Sequence, residues 1–190
     1  DRLARAEPEL FDRVEGIAIC GFTRTQVLLN AAGQAIRPAI TWKDTRAGAV
    51  ATRLQAQLAH HPEAEHINAF HPLVRLAWMA EEERPHFEAI DCVLEPKDWL
   101  NFRLTGQCAS DPVSMARLSA CAQPAGGPSP FQVVGLKPTV IPNTIDPWAQ
   151  VAKVQSGLPG ALGRLQGVPV FCASNDTWAG VTGLGAMRAG

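Results

Sequence analysis

Apolar positions early in the chain follow a strand-like pattern. Residues 16–21 form a fully apolar run bounded by glycines, which is typical of a short strand buried on both faces. Residues 27–30 predict a second strand, and after a turn at 31–34 residues 36–42 are predicted to pair back onto it as a third. This part of the chain therefore predicts a strand followed by a hairpin.

Helical spacing dominates most of the remaining chain. Asp44 or Thr45 is the expected cap of one helix, Pro72 the first residue of another, and Gly106 the residue that ends a third. The spacing predicts helices over 3–14, 44–60, 97–104, 111–119 and 177–187, another from residue 72 onward, and strands over 89–94 and 168–173. Strands that alternate with helices predict an α/β fold, a mixed sheet with flanking helices.

Composition and charge narrow the class of partner. The 190 residues are 46% hydrophobic, which is enough for a packed core, and only 18% charged, below the usual fraction of about 25%. The formal net charge of −1 lacks the positive footprint of a nucleic-acid-binding protein. Apolar runs stay well short of the roughly 18 residues of a membrane span. We therefore expect neither a nucleic-acid nor a membrane partner.

The cysteines and histidines predict neither disulfides nor a metal site. Five cysteines, an odd number with no C-x-x-C pair, are typical of reduced thiols in a cytoplasmic protein. His60, His61, His66 and His71 crowd one region. Their spacings match neither an i,i+4 pair on a helix nor a Cys/His zinc set. This region is therefore predicted to be a solvated helix end.

Candidate chemistry lies where an apolar strand ends and a helix begins, at residues 174–177. Ligands favour the carboxyl ends of strands in open α/β sheets. A carboxylate at a helix N-terminus stays ionised, so Asp176 could take a proton from a substrate hydroxyl as that oxygen attacks. The other interpretation is that Asp176 is an ordinary N-cap. The two interpretations are compatible.

A second polar cluster lies at residues 41–46. Trp42, at a predicted strand end, could stack on a sugar ring while Asp44 and Arg46 bind its hydroxyls. A helix start with an Asp–Arg pair and a core tryptophan explains the same pattern equally well.

Taken together, these segments resemble the FGGY family of carbohydrate kinases, most nearly its xylulokinase-like members. The sequence FHPLVRLAWMAEE at 70–82 follows the first signature of that family at nearly every constrained position, with Arg75 where the signature has lysine. The other matching blocks are PAITWKDTR at 38–46, PKDWL…RLTG at 96–106, Asp111, and residues 168–186.

The resemblance implies a ribonuclease H-like, actin-like ATPase domain. Residues 1–190 would form an incomplete amino-terminal, sugar-binding domain. A phosphate-binding hairpin would precede residue 1 and a carboxyl-terminal nucleotide domain would follow residue 190, so the isolated piece is expected to be inactive. The complete protein would phosphorylate a sugar or polyol, with a pentulose such as xylulose favoured. A non-catalytic sugar-binding or regulatory protein on the same fold is the alternative.

The resemblance also implies roles for particular residues. Asp176 would be the catalytic base that activates a sugar hydroxyl for attack on the γ-phosphoryl group of ATP. The residues implied in substrate binding are Trp42, Arg24, Gln26, Phe70, Asn175 and Asp44. ATP and Mg²⁺ would be the cofactors, although no residue of this chain is assigned to bind either. The resemblance leaves a homodimer open and does not identify the sugar.

Overall fold

The computed structural model describes residues 1–185, in which helices and short strands alternate. The helices are α1 (Arg2–Ala6), α2 (Pro8–Phe11), α3 (Gly48–Gln57), α4 (Pro72–Glu82), α5 (Arg84–Glu88), α6 (Pro96–Thr105), α7 (Ala116–Ala122), α8 (Pro130–Val134) and α9 (Asp176–Gly183). The strands are β1 (Ile17–Ala18), β2 (Val27–Leu29), β3 (Cys92–Leu94), β4 (Ala109–Ser110), β5 (Asn143–Thr144), β6 (Gln150–Lys153) and β7 (Pro169–Phe171). Short 3₁₀ helices span Pro62–His66, Pro138–Val140 and Gly160–Leu165.

Strand pairing is mixed, as predicted, although the strands of the described chain divide into three small sheets. β7 pairs in parallel with β1 and antiparallel with β6. The antiparallel pair β2–β3 and the parallel pair β4–β5 make the other two sheets. Because β1 and β7 are parallel, their carboxyl ends meet, and a further bridge joins Gly21 to Asn175 just beyond them. This edge is where the sequence places Asp176.

The predicted hairpin after β2 is confirmed as a pairing of two extended segments. Gly33, at a φ of 72°, closes the turn by donating its N–H to Asn30 O at 2.8 Å. The returning chain bonds to β2 through Ile36 N–H to Leu28 O at 3.0 Å, and Ile40 N–H then donates to Gln26 O at 3.1 Å. A side chain at position 33 would meet the Phe102 ring 2.7 Å away, so glycine is needed there for space as well as for φ.

The largest core lies between the β2–β3 pair and the helices α3, α4, α7 and α8. α4 begins at Pro72, as predicted, and the His71 ring caps it by accepting the Leu73 N–H at 3.2 Å. Its inward face is fully buried at Leu73, Leu76 and Met79. A second core joins α1 and α2 to β6 and β7.

Two predicted helix starts are wrong, because in each case the aspartate carboxylate accepts backbone N–H groups in a turn that precedes the helix. α3 begins at Gly48, and Asp44 accepts the Arg46 N–H at 3.0 Å in the preceding turn. α7 begins at Ala116, and Asp111 accepts the N–H groups of Val113 and Ser114, each at 3.1 Å. Neither aspartate is therefore a helix cap.

The helices predicted at the two ends of the chain also change. The stripe over 3–14 is divided into α1 and α2 at Glu7, because Pro8 has no N–H to continue the first helix. The last helix is described over Asp176–Gly183, and the final residues of the predicted span 177–187 lie outside the described part of the chain. Strand β6 and helix α8 were not predicted. Within residues 1–185, no helix combines the length and apolar character that crossing a membrane requires.

A buried ion cluster joins α6 to the loops at the sheet edge. Lys97, which is 1% exposed, contacts Asp98 Oδ1 at 2.5 Å and Asp111 Oδ2 at 2.9 Å. Ser110 donates to Asp98 at 2.6 Å, and Ser174 donates to Asp111 at 3.0 Å. Burial opposes the charge on Lys97, but the attraction of Asp98 and the hydrogen bonds to both carboxylates raise its pKa above the ordinary value. The cluster therefore fixes the segment that leads into α9.

We expect Lys97→Met to lower the free energy of unfolding by about 3–5 kcal/mol, because it leaves two carboxylates buried without their cation. Denaturant unfolding followed by circular dichroism measures this. Lys137→Met, at an exposed lysine, is the control and should change stability by less than about 0.5 kcal/mol. Equal losses for the two variants would contradict the role assigned to the cluster.

Candidate functional site

The loop 22–26 between β1 and β2 is held in a strained conformation by two buried side chains. Arg24 has a φ of 60°, a region that residues other than glycine seldom occupy. Its N–H donates to Glu95 Oε1 at 2.8 Å, and its carbonyl accepts a hydrogen bond from Arg75 Nη1. Both partners are buried. Such backbone strain persists only where surrounding structure enforces it, so these contacts set the shape of the loop.

The same loop organises two neighbouring segments. Thr25 Oγ1 accepts the Trp42 N–H at 3.1 Å, which ties the loop to the segment 41–46. Gln26 Nε2 donates to Pro72 O at 3.1 Å, which ties it to the start of α4. Several predicted site residues are thus brought together by backbone and side-chain bonds to this one loop.

Asp176 is the first residue of α9, and its carboxylate is exposed. The N-cap is Asn175, whose side chain accepts the Trp178 N–H at 3.0 Å, so the interpretation of Asp176 as the cap is wrong. Asp176 N–H donates to Gly21 O at 3.0 Å, which holds the start of α9 beside β1. Asn175 does the capping, so the exposed Asp176 carboxylate, which accepts the Thr177 hydroxyl at 3.5 Å, can be approached by a ligand.

Between β7 and α9 the chain turns in an uncommon backbone conformation. Ala173 has a φ of 56°, and its N–H donates to Pro147 O at 2.7 Å. The carbonyl of Cys172 accepts the Asn101 side-chain amide at 3.2 Å, and Ser174 is bonded to Asp111 as described above. Three successive residues before the N-cap are therefore anchored to other parts of the fold.

A cavity of about 200 Å³ lies beside the loop 22–26 and includes Arg24, Gln26 and Asn175 in its lining. We call it the Glu95 cavity, after another lining residue. Glu95 is 6% exposed and stands at the end of β3, immediately before α6. Burial raises the pKa of Glu95 to about 8, and the hydrogen bond from the Arg24 N–H opposes that rise only in part. Half of the six residues predicted to bind substrate line this one cavity.

The other three predicted substrate residues lie outside the lining of the Glu95 cavity. Trp42 is 48% exposed, with Lys43 Nζ 5.1 Å from its ring centroid. Phe70 is exposed and its N–H donates to Asn68 Oδ1 at 2.9 Å. Asp44 is paired with Arg46 at 2.8 Å, and despite burial the Arg46 hydrogen bonds hold the pKa of Asp44 below its ordinary value. Trp42 and Phe70 keep open ring surface, whereas Asp44 is committed to Arg46.

The histidine-rich region is not the solvated helix end that was predicted, since His61 and His71 are buried. His61 Nδ1 accepts the Glu63 N–H at 3.1 Å, and Nε2 lies 3.0 Å from Gln123 O. Both histidines cap short turns or helices through their ring nitrogens. Two of the four histidines are therefore explained by capping, whereas His60 and His66 are exposed.

Glu63, His71 and Cys121 place three potential metal-ligating atoms within 4.8 Å of one another. His71 Nδ1 accepts a backbone N–H, so its proton lies on Nε2, which donates to Glu63 at 3.3 Å. That ring has no free lone pair for a metal. Burial lowers the pKa of His71 to about 4, and Arg117 occupies the other Glu63 oxygen at 3.0 Å. The hydrogen bonds favour a structural cluster.

Glu95, Thr25 and Arg75 were missed as site residues by the sequence analysis. Glu95 carried the clearest signal, because it is a charged residue directly after the apolar run 92–94 in a chain with a low fraction of charged residues. Thr25 and Arg75 act through contacts with Trp42 and with Arg24, which are distant in sequence. Local spacing could not identify those contacts.

Comparison with known proteins places the chain in one family. Residues 9–183 match the FGGY family of carbohydrate kinases, N-terminal domain. An L-fuculokinase of Salmonella typhi is 28% identical over 183 residues, covering 92% of this chain and 38% of the relative. A xylulose kinase of Streptomyces coelicolor is 30% identical over 178 residues, covering 89% of this chain and 36% of the relative. The chain thus spans less than half the length of these relatives.

Solved structures confirm the predicted fold. The xylulose kinase of Rhodospirillum rubrum superposes with a TM-score of 0.84 at 23% identity, covering 98% of this chain and 40% of that one. The glycerol kinase of Plasmodium falciparum superposes with a TM-score of 0.73 at 17% identity, covering 90% of this chain and 36% of that one. The fold is that of the actin-like ATPases, and the chain belongs to the FGGY family of carbohydrate kinases, matching its N-terminal domain.

Proposed function

We propose that the complete protein transfers the γ-phosphoryl group of ATP to a hydroxyl of a sugar or polyol. The observation that carries this proposal is the position of Asp176, an exposed carboxylate at the start of α9 that follows directly on Asn175, which lines a cavity together with Arg24 and Gln26. Family membership supports the same activity. Because the chain spans only part of its relatives, the activity is assigned to the complete protein rather than to residues 1–190 alone.

Asp176 is the general base in this proposal. The acceptor hydroxyl gives its proton to the carboxylate as its oxygen bonds to the γ-phosphorus, and ADP leaves with the electrons of the broken P–O bond. Phosphoryl transfer depends mainly on positioning and charge neutralisation, and Mg²⁺ supplies part of that neutralisation when it is bound with ATP. The residues described here hold the acceptor, through the loop 22–26 and the anchored turn before α9.

The near-neutral charge of the chain favours an uncharged substrate. With a formal net charge of −1, the chain offers no strong field to steer a charged substrate, whereas a polyol needs only hydrogen-bond partners. Trp42 and Phe70 offer exposed aromatic surface, and Trp42 is tied to the loop 22–26 through Thr25. A pentulose such as xylulose is favoured because several similar proteins are xylulose kinases.

We expect Asp176→Asn in the complete protein to lower kcat by about 10²- to 10⁴-fold, because the amide cannot accept the hydroxyl proton. A coupled assay of ADP release with xylulose, ATP and Mg²⁺ measures the rate. Asp91→Asn, at an exposed aspartate next to β3, is the control and should keep the wild-type rate. Near-normal turnover by Asp176→Asn would refute the base role. Sugar binding by the wild type without any turnover would favour the non-catalytic alternative.

We expect Trp42→Ala to raise KM for the sugar by roughly 3- to 10-fold while kcat changes little, because a stacking surface is lost. Steady-state kinetics on the complete protein separate the two parameters. Trp42→Phe retains an aromatic face and should keep KM near that of the wild type. An unchanged KM in Trp42→Ala would show that the tryptophan does not contact the acceptor.

A further inference from the structure

Glu95 holds an oxygen that the fold does not use. One carboxyl oxygen, Oε1, accepts the Arg24 N–H, whereas Oε2 is buried without a hydrogen-bond partner in the described structure. A buried polar atom without a hydrogen bond destabilises the folded protein, so its presence needs a physical explanation. Glu95 shapes the loop 22–26 and also belongs to the capping box with Asp98 at the start of α6, and these structural roles still leave Oε2 without a hydrogen bond among the described residues.

A second unused oxygen belongs to the same cavity. Gln26 is 3% exposed, and its amide nitrogen donates to Pro72 O, but its Oε1 atom is buried and makes no hydrogen bond to any described residue. Glu95 and Gln26 both line the Glu95 cavity, together with Asn175, the residue that precedes the catalytic base. A ligand with several hydroxyl groups could form hydrogen bonds with both of these unpartnered oxygens in one small cavity.

The size and walls of the cavity suit such a ligand. Its volume of about 200 Å³ corresponds to several water molecules at roughly 30 Å³ each, which is room for part of a small sugar. Leu94, Met115 and Leu118 contribute apolar walls. Apolar walls with a few placed polar atoms are typical of small-molecule sites, in which the polar atoms set orientation.

We propose that Glu95 and Gln26 form a hydroxyl-reading subsite for the sugar or polyol acceptor, in which Glu95 is protonated and donates a hydrogen bond through Oε2 to an acceptor oxygen. Gln26 Oε1 accepts a hydrogen bond from another hydroxyl of the same molecule. This inference rests on the proposed function, since it names the groups that select the acceptor of that reaction. The subsite orients the sugar and takes no part in moving the reacting proton.

The surroundings of Glu95 keep its carboxyl group neutral near pH 7. Burial is the main cause of its pKa of about 8, and the nearby carboxylates of Asp98 and Asp111 raise that pKa further. Lys97 and the Arg24 N–H act in the opposite direction. A sugar that displaces water from the cavity desolvates Glu95 further and so favours the same neutral form. Above pH 8 the proton is lost, and the donated hydrogen bond is lost with it.

The test uses the complete protein with ATP, Mg²⁺ and a panel of xylulose, L-fuculose and glycerol. kcat/KM is measured between pH 6 and 10, and sugar binding is measured by calorimetry. For the wild type we expect kcat/KM to fall above pH 8, approaching tenfold per pH unit as a single proton is lost. Glu95→Gln keeps a donor and an acceptor in place, so it should bind the sugar well and lack this alkaline fall.

Glu95→Leu and Gln26→Leu remove the hydrogen-bonding atoms, and each should raise KM by about 10- to 100-fold. Glu63→Gln is the matched control. It changes a buried glutamate that is bonded to His71 and Arg117 and does not line the cavity. That variant should retain the alkaline fall, whatever its effect on stability. A purely structural role for Glu95 would not make the alkaline fall disappear specifically in Glu95→Gln.

The outcomes separate this inference from the proposed function. Turnover by the wild type, with the same KM and the same alkaline fall in the Glu95 variants, would overturn the subsite and leave the kinase proposal standing. Sugar binding that depends on Glu95 and Gln26, without any turnover, would overturn the kinase proposal and support the subsite. If no sugar of the panel binds or reacts, both are overturned.

Discussion

The site depends on one buried cation shared by two carboxylates. Lys97 lies between Asp98 on its own helix and Asp111 after β4, and each carboxylate holds a serine hydroxyl as well. Such a cluster is stable only when every member keeps its partners, because an unpaired charge in the interior is very unfavourable. Geometry at the start of α6 is therefore transmitted to Ser174, two residues before the proposed base.

The part of the site proposed to hold the acceptor is shaped by a different set of contacts, those of the loop 22–26. Arg24 is clamped between Glu95 and Arg75, and the residues that follow it bond to the segments carrying Trp42 and Pro72. A short loop thereby gathers elements that lie far apart in the sequence. Since β1 and β7 are parallel, this loop and the start of α9 leave the sheet at the same edge, which brings Asn175, the residue before the proposed base, into the cavity lining with Arg24 and Gln26.

Features that depend on neighbouring residues were predicted well from the sequence. Pro72 starts α4 and Gly106 ends α6 in the left-handed conformation, because each acts on its own backbone. Helix starts at Asp44 and Asp111 were misplaced, since the Asp44 carboxylate is held in a turn and an ion pair with Arg46 and the Asp111 carboxylate is paired with Lys97, which is distant in sequence. Glu95 was missed for the same reason: its role depends on the cavity, which forms only when the whole domain is folded.

Two residues other than glycine hold left-handed backbone conformations near the site: Arg24 in the loop 22–26 and Ala173 in the turn before α9. Glycine would adopt either conformation without a steric penalty but would also widen the range of shapes open to the unfolded chain. At these two positions, a substitution that changes the stiffness of the folded backbone therefore also changes the stability of the fold. At Ala173 the rigidity of the site could be adjusted by engineering without replacing a residue proposed to contact the substrate, whereas at Arg24 a side chain that lines the Glu95 cavity would be lost as well.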